Sequence, residues 1–153
     1  MDVNHINPFI SAFASVIPQL GFQTVNKGGL SVKGKELQSS GVIIIVGIVG
    51  AIRGSVVYTM DTENAKKVAS CMMMGMPVNE LDDMAQSALG ELTNMLTANA
   101  ATHFAGLGIS IDISTPTVMH GNNMSLKMGT GQVLCIQLFA DDIPIEVNIS
   151  IEN

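Results

Sequence analysis

Apolar residues recur at helical spacing in three stretches of the chain and at strand spacing in the others, a division that predicts an α+β fold. Ile6, Phe9, Ile10, Phe13, Ile17 and Leu20 fall within about 120° of one another at 100° per residue, with Ser11 and Ser15 opposite. Asn7-Pro8 opens this helix, Asn as its cap and Pro at the first helical position, where its missing N–H costs nothing. Pro18 and Gly21 end it. From Phe22 the period changes: Thr24, Val25, Leu30 and Val32 predict short strands around a turn at Gly28-Gly29. The β-branched run Val42 to Val49 predicts a strand buried on both faces. Gly54 to Met60 predicts its antiparallel hairpin partner.

Asp61-Thr62-Glu63 starts a second helix, with Ala65, Val68, Ala69 and Met72 inward, Lys66 and Lys67 outward, and Gly75 and Pro77 as its stop. A third, long helix is predicted from Asn79, as cap, to Gly106. Beyond it, Ile109, Ile111 and Ile113 alternate with polar residues. Met124 to Met128 follows a turn at Gly121-Asn122-Asn123, and Gln132–Ala140 and Ile143–Ile151 flank a hairpin at Asp141-Asp142. The strict alternation of Ile143 to Ile151 marks one buried face. The expected architecture is two-layer: a mostly antiparallel sheet against one long helix and two shorter ones, in one domain over residues 1–153. Each half reads as helix then strands, which suggests an internal pseudo-twofold repeat.

Hydrophobic residues make up 47% of the chain and charged residues 13%, against a usual charged share of about 25%. This excludes a disordered chain. Together with apolar strands whose edges need covering, it predicts a homodimer. Seven Lys and Arg against 13 Asp and Glu give a net charge of -6, which excludes nucleic acid as a partner. The longest apolar run, Val42 to Ile52, is broken by Gly47 and Gly50 and is far short of the ~20 residues a bilayer needs. No membrane insertion is expected, and with no secretory signal the expected location is cytoplasmic. Cys71 and Cys135 lie far apart in apolar surroundings with no ligand partner nearby. They read as free thiols in a reducing compartment, with a single buried disulfide as the alternative, and no metal of the protein's own is expected.

Most polar residues have ordinary explanations. His5 and His120 read as solvated, and His103 as packed on the apolar side of the long helix. Met72, Met73, Met74 and Met76 read as filling between two helices, with an adaptable binding surface as the alternative. Gly28-Gly29 and Gly129-Thr130-Gly131 lack the Lys of a phosphate-cradling loop. The long helix differs. With Ser87 at 0°, Leu81, Ala85, Ala88, Leu89, Leu92 and Leu96 form the buried arc, while Glu80, Ser87, Glu91, Asn94 and Ala98 fall within about 40° of 0°. Glu91 and Asn94, at i and i+3, thus project together. The helix carries Glu80, Asp82, Asp83 and Glu91 with no Lys or Arg, so it attracts a basic group. By residue type alone this stripe reads as a solvated polar face.

The stretch Ser87-Ala-Leu-Gly-Glu91-Leu-Thr-Asn94 resembles the signature of the CheX/CheC/FliY family of chemotaxis phosphatases. That signature is Asp or Ser, three residues, Glu, two residues, Asn, and a proline some twenty-odd residues later. Pro116 stands 22 positions after Asn94. The resemblance extends to Asn7-Pro8-Phe9 opening the first helix, the central apolar strand followed by Gly54-Ser-Val-Val-Tyr, the long helix and the two terminal strands. CheC-like members carry the Glu-Asn pair on two pseudo-symmetric helices. Here the first helix offers only Ser11 and Ser15, and a single pair is the CheX-like pattern.

The resemblance implies a phosphatase for the aspartyl phosphate of a CheY-like response regulator. Asn94 would position the attacking water and Glu91 would dock the receiver's lysine. Ser87 and Ala98 would line the contact and Pro116 would brace the loop beside the helix. The receiver would supply Mg²⁺, with no cofactor from the protein itself, and the CheX-like members are dimers joined through their sheets. The alternatives are a non-catalytic receiver-binding module, which could keep Glu91 but has no need of a mid-helix amide, and a purely structural dimerising domain.

Overall fold

The computed structural model describes residues 3–34, 36–128 and 132–152. After a 3₁₀ turn at Val3–His5, helix α1 spans Asn7–Val16 and strands β1, β2 and β3 span Val25–Lys33, Glu36–Gly50 and Arg53–Met60. Helices α2 (Thr62–Met72) and α3 (Asp83–Gly106) follow. Strands β4 (Ile111–Ile113), β5 (Thr117–Lys127), β6 (Val133–Ala140) and β7 (Ile143–Glu152) complete the chain. The sheet runs β1-β6-β7-β3-β2-β4, with β5 also on β2, and every pairing is antiparallel. The order is unchanged when β1 is exchanged with β4 and β5, β2 with β6, and β3 with β7.

The three helices cover one face, as expected. Alternate residues Val42, Ile44, Val46 and Ile48 of β2, Val56 and Tyr58 of β3, and Ile145, Val147 and Ile149 of β7 meet Phe9, Phe13, Leu89, Leu92, Leu96 and Phe104. The far face is not simply solvated. Leu37, Ile43, Val57, Met128 and Val133 form a second, smaller cluster there. Gly41 marks an irregularity in the pairing of β2 with β5, at φ 125° and with Met60 O only 2.4 Å from where a Cβ would sit. This is where β2 passes from its exposed arm to its buried centre. The far-face cover also corrects the reading of β7: Asn148 and Ser150 are buried along with the isoleucines, so both its faces are enclosed.

Several boundaries differ from the sequence expectation. The cap of α1 is Ile6, with no side-chain hydrogen bond, so Asn7 is already helical. Pro18 and Gly21 do end that segment, through a 3₁₀ turn over Ile17–Leu20. Gly28-Gly29 lies in an irregularity within the single strand β1, and Gly121-Asn122-Asn123 lies inside β5; neither is a turn between strands. The cap of α3 is Asp82, accepting from Ala85 N at 2.9 Å, three residues after the expected Asn79. Asp61 caps α2 as expected, accepting from Asn64 N at 2.7 Å. His103 is exposed, and Phe104 takes the inward position beside it. His5 is half-buried edge-on to Phe104, at 5.9 Å between ring centroids, rather than solvated, while His120 is exposed. Met74 and Met76 are exposed and not core filling. Cys71 and Cys135 are free thiols. The Gly129-Thr130-Gly131 segment lies outside the described residues.

Candidate active site on the long helix

Helix α3 is held at a fixed rotation by what it buries. Ala85, Leu89, Leu92, Leu96, Ala100 and Phe104 face the sheet and α1, and Phe9 stacks edge-on against Phe104 at 5.7 Å. A polar fixing point lies within this apolar contact. The Thr97 hydroxyl donates to Thr93 O at 2.7 Å, so its contact with the Tyr58 hydroxyl at 2.8 Å is one in which Tyr58 donates. Thr93 in turn donates to Gly90 O at 2.9 Å. Burial drives the Tyr58 phenol pKa far up, with Thr97 offsetting it only in part, so Tyr58 stays a neutral donor. The chain Tyr58–Thr97–Thr93 ties the inner side of α3 to the centre of the sheet.

With that side fixed, the opposite side points to solvent. Ser87, Glu91, Asn94 and Ala98 are all exposed, as the helical wheel predicts. Glu91 and Asn94 stand about 4.5 Å apart along the axis at 1.5 Å per residue, close enough to meet one partner together. A groove of 420 Å³ opens beside them, lined by Asp83, Gln86, Ser87, Gly90, Glu91, Pro116 and Val118. Asn94 and Ala98 continue the stripe beyond this lining.

The far wall of the groove comes from the segment between β4 and β5 and the start of β5. Ser114 anchors it to β2, with Ser114 N donating to Gly47 O at 2.9 Å and Gly47 N donating to Ser114 Oγ at 2.8 Å. Pro116 then lies against the helix at Gly90, where an added Cβ would meet Val118 Cγ2 at 3.4 Å and Pro116 Cγ at 3.5 Å. Gly90 is the point of close approach. The sequence reading missed Asp83, Gln86, Gly90 and Val118 as groove residues. The available signal was a glycine in mid-helix, where it costs roughly 1 kcal/mol against alanine.

Among the described residues no group of three or more His, Cys, Asp or Glu is placed to hold a metal ion. Among the described residues no helix is long and apolar enough to cross a membrane. Away from α3, on the far face, Cys135 Sγ donates to Glu146 Oε1 at 2.9 Å and Lys33 pairs with the same carboxylate. Burial pushes the Cys135 thiol up to about 11, reinforced by Glu146, so it is a protonated donor rather than a nucleophile at neutral pH.

Residues 42–139 match the family model described as chemotaxis phosphatase CheX. The chain belongs to the CheX family. It is 34% identical to the CheY-P phosphatase CheX of Thermotoga maritima, over 100% of this chain and 99% of that one. It is similar to a chain of the CheX–CheY–BeF3–Mg²⁺ complex from Borrelia burgdorferi, at 30% identity and TM-score 0.84, covering 99% of this chain and 100% of that one. The chemotaxis protein CheX from Desulfovibrio desulfuricans has the same fold, at TM-score 0.87 and 24% identity over 98% and 100% of the two chains.

Proposed function

We propose that this CheX-family chain is a chemotaxis phosphatase that hydrolyses the aspartyl phosphate of a CheY-like response regulator. The observation that carries the reading is the exposed Glu91–Asn94 pair beside the α3 groove, in a chain similar over its whole length to a CheY-P phosphatase. An acyl phosphate has a good leaving group, a carboxylate, so catalysis reduces to placing a water in line with the breaking bond. Asn94 supplies a carboxamide that both donates and accepts, and orders that water without having to titrate. The water's oxygen bonds to phosphorus, the P–O bond to the receiver's aspartate breaks, inorganic phosphate leaves and the water's proton passes to solvent. Glu91 docks the receiver's lysine, Ser87 and Ala98 line the contact, and Pro116 braces the groove wall against Gly90. The receiver brings Mg²⁺, in keeping with the composition of the Borrelia complex.

The reading also takes residues 1–153 as one domain, a cytoplasmic location, a homodimer and an internal repeat. Leu30 and Val32, exposed on edge strand β1, support an association through the sheet. The exchange symmetry of the strand order supports the repeat. The test is receiver affinity and dephosphorylation rate on Asn94→Ala and Glu91→Ala. Asn94→Ala is expected to keep its affinity and lose ~10²–10⁴-fold in turnover, the range of a positioned catalytic group. Glu91→Ala is expected to weaken binding, and the wild-type advantage over it should shrink with salt. Wild-type turnover by Asn94→Ala would replace this reading with a docking module.

A further inference from the structure

The groove beside α3 runs from Glu91 away from Asn94, toward the start of the helix. Its two walls differ in chemistry: α3 contributes Asp83, Gln86, Ser87 and Glu91, and the facing wall and floor are Pro116, Val118 and Gly90. The two carboxylates are eight residues apart, about 12 Å along the axis, so one cation cannot serve both. Asp83 is exposed, and Asp82 rather than Asp83 provides the cap, by accepting from Ala85 N. No ion pair or side-chain hydrogen bond within the described residues uses the Asp83 carboxylate. No Lys or Arg occurs anywhere in α3 to neutralise it. Gln86 is held at the groove wall by its Nε2, which donates to Leu81 O at 2.7 Å.

We infer that this groove takes a second basic side chain of the receiver, read by Asp83, in addition to the lysine that docks at Glu91. The inference rests on the phosphatase reading for the identity of the partner and extends its contact by two helical turns. An apolar strip ending in an unpaired carboxylate matches a Lys or Arg, whose methylene stem lies on Pro116 and Val118 while its cationic head reaches Asp83. An acidic occupant would be repelled, and a neutral one would leave the carboxylate unpaired beneath the partner. The groove is continuous with the Ser87–Glu91 stripe, so one rigid receiver occupies both. Receivers with a cation at the corresponding place are selected over those without one, through binding and not through the chemical step.

The test compares wild type, Asp83→Asn and Asp83→Lys, using a purified phosphorylated CheY-like receiver at about 50 and about 500 mM salt. Receiver binding is measured alongside turnover. At low salt Asp83→Lys is expected to raise KM ~10-fold and Asp83→Asn ~3-fold, with kcat within about twofold of wild type, and both differences should shrink at high salt. Both substitutions are on an exposed side chain that caps nothing, and melting curves verify that the fold is kept. An unchanged KM for Asp83→Lys at low salt overturns the inference, as does a rise that persists undiminished at high salt. The phosphatase reading fails differently. If wild type binds the receiver without hydrolysing it, and Asp83→Lys weakens that binding, the groove assignment stands and the catalytic one falls.

Discussion

Helices α1 and α3 pack against each other on the same face of the sheet, yet only α3 carries an outward Glu–Asn pair. Both bury an apolar arc, Phe9 and Phe13 on α1 and Leu89, Leu92, Leu96 and Phe104 on α3. Their free faces differ. Helix α1 is 10 residues long and shows Ser11, Ala14 and Ser15 to solvent, with no charged residue. Helix α3 is 24 residues long and shows Ser87, Glu91, Asn94 and Ala98 beside a groove built by Pro116 and Val118. The same packing task leaves the outward face free in both, so residues can be chosen there at small cost to the core. Asn in mid-helix costs no more than ~0.7 kcal/mol of propensity against alanine. What separates the helices is an outward pair of side chains and a second wall for a partner to enter.

The contact shared by the two helices gives the largest expected effect. Phe104 is fully buried and touches both His5 and Phe9. Phe104→Ala should cost about 3–5 kcal/mol, read from urea unfolding. A loss under 1 kcal/mol would show that α1 and α3 are positioned independently. Tyr58→Phe sharpens the comparison on the α3 side only. It removes one buried hydrogen bond and should cost about 0.5–1.5 kcal/mol. A larger loss would mean that the hydroxyl, rather than the leucines, sets the rotation of α3.

The smallest effect lies away from both helices. Burial alone would raise the Glu146 carboxyl, but the hydrogen bonds from Cys135 and Lys33, with the charge of Lys33, hold it below its ordinary value. Burial would lower the Lys33 ammonium, and its bond to Glu146 leads a set of contacts that outweighs this and raises it. The carboxyl therefore contributes stability above its unfolded pKa near 4.5, which is lost as pH falls through the depressed folded value. The ammonium contributes below its unfolded pKa near 10.5, and that is lost as pH rises through the raised folded value. Both groups are partly exposed, so the gain is small. The melting-temperature gap between wild type and Glu146→Gln should be flat across neutral pH and close in acid. A gap that widens in acid would contradict this sign.

The outward stripe was legible in the sequence because helical periodicity is local: once Leu89, Leu92 and Leu96 are inward, Glu91 and Asn94 must be outward. The start of α3 was not, because Leu81 is buried although it precedes the helix, so the apolar period runs through the boundary and Asn79 and Asp82 both look like caps. By sequence alone Gly28-Gly29 and Gly121-Asn122-Asn123 read as turns, because a turn and an irregular strand use the same residues. The partner strands β6 and β2 decide between them, and they lie far away in the chain. Met74 and Met76 are as apolar as core residues, and only the placement of the α2–α3 connection leaves them outside. The groove was hidden for a related reason: Pro116 and Val118 reach Gly90 only through the pairing of β4 and β5 with β2.

The most direct measurement is the rate of phosphate loss from a phosphorylated CheY-like receiver with three proteins: wild type, Asn94→Ala on α3 and Ser15→Ala on α1. Wild type should accelerate the loss, Ser15→Ala should match it, and Asn94→Ala should fall ~10²–10⁴-fold toward the receiver's own rate while still binding it. Equal rates for Asn94→Ala and wild type, or no acceleration by wild type, would contradict the assignment of the chemistry to the outward face of α3.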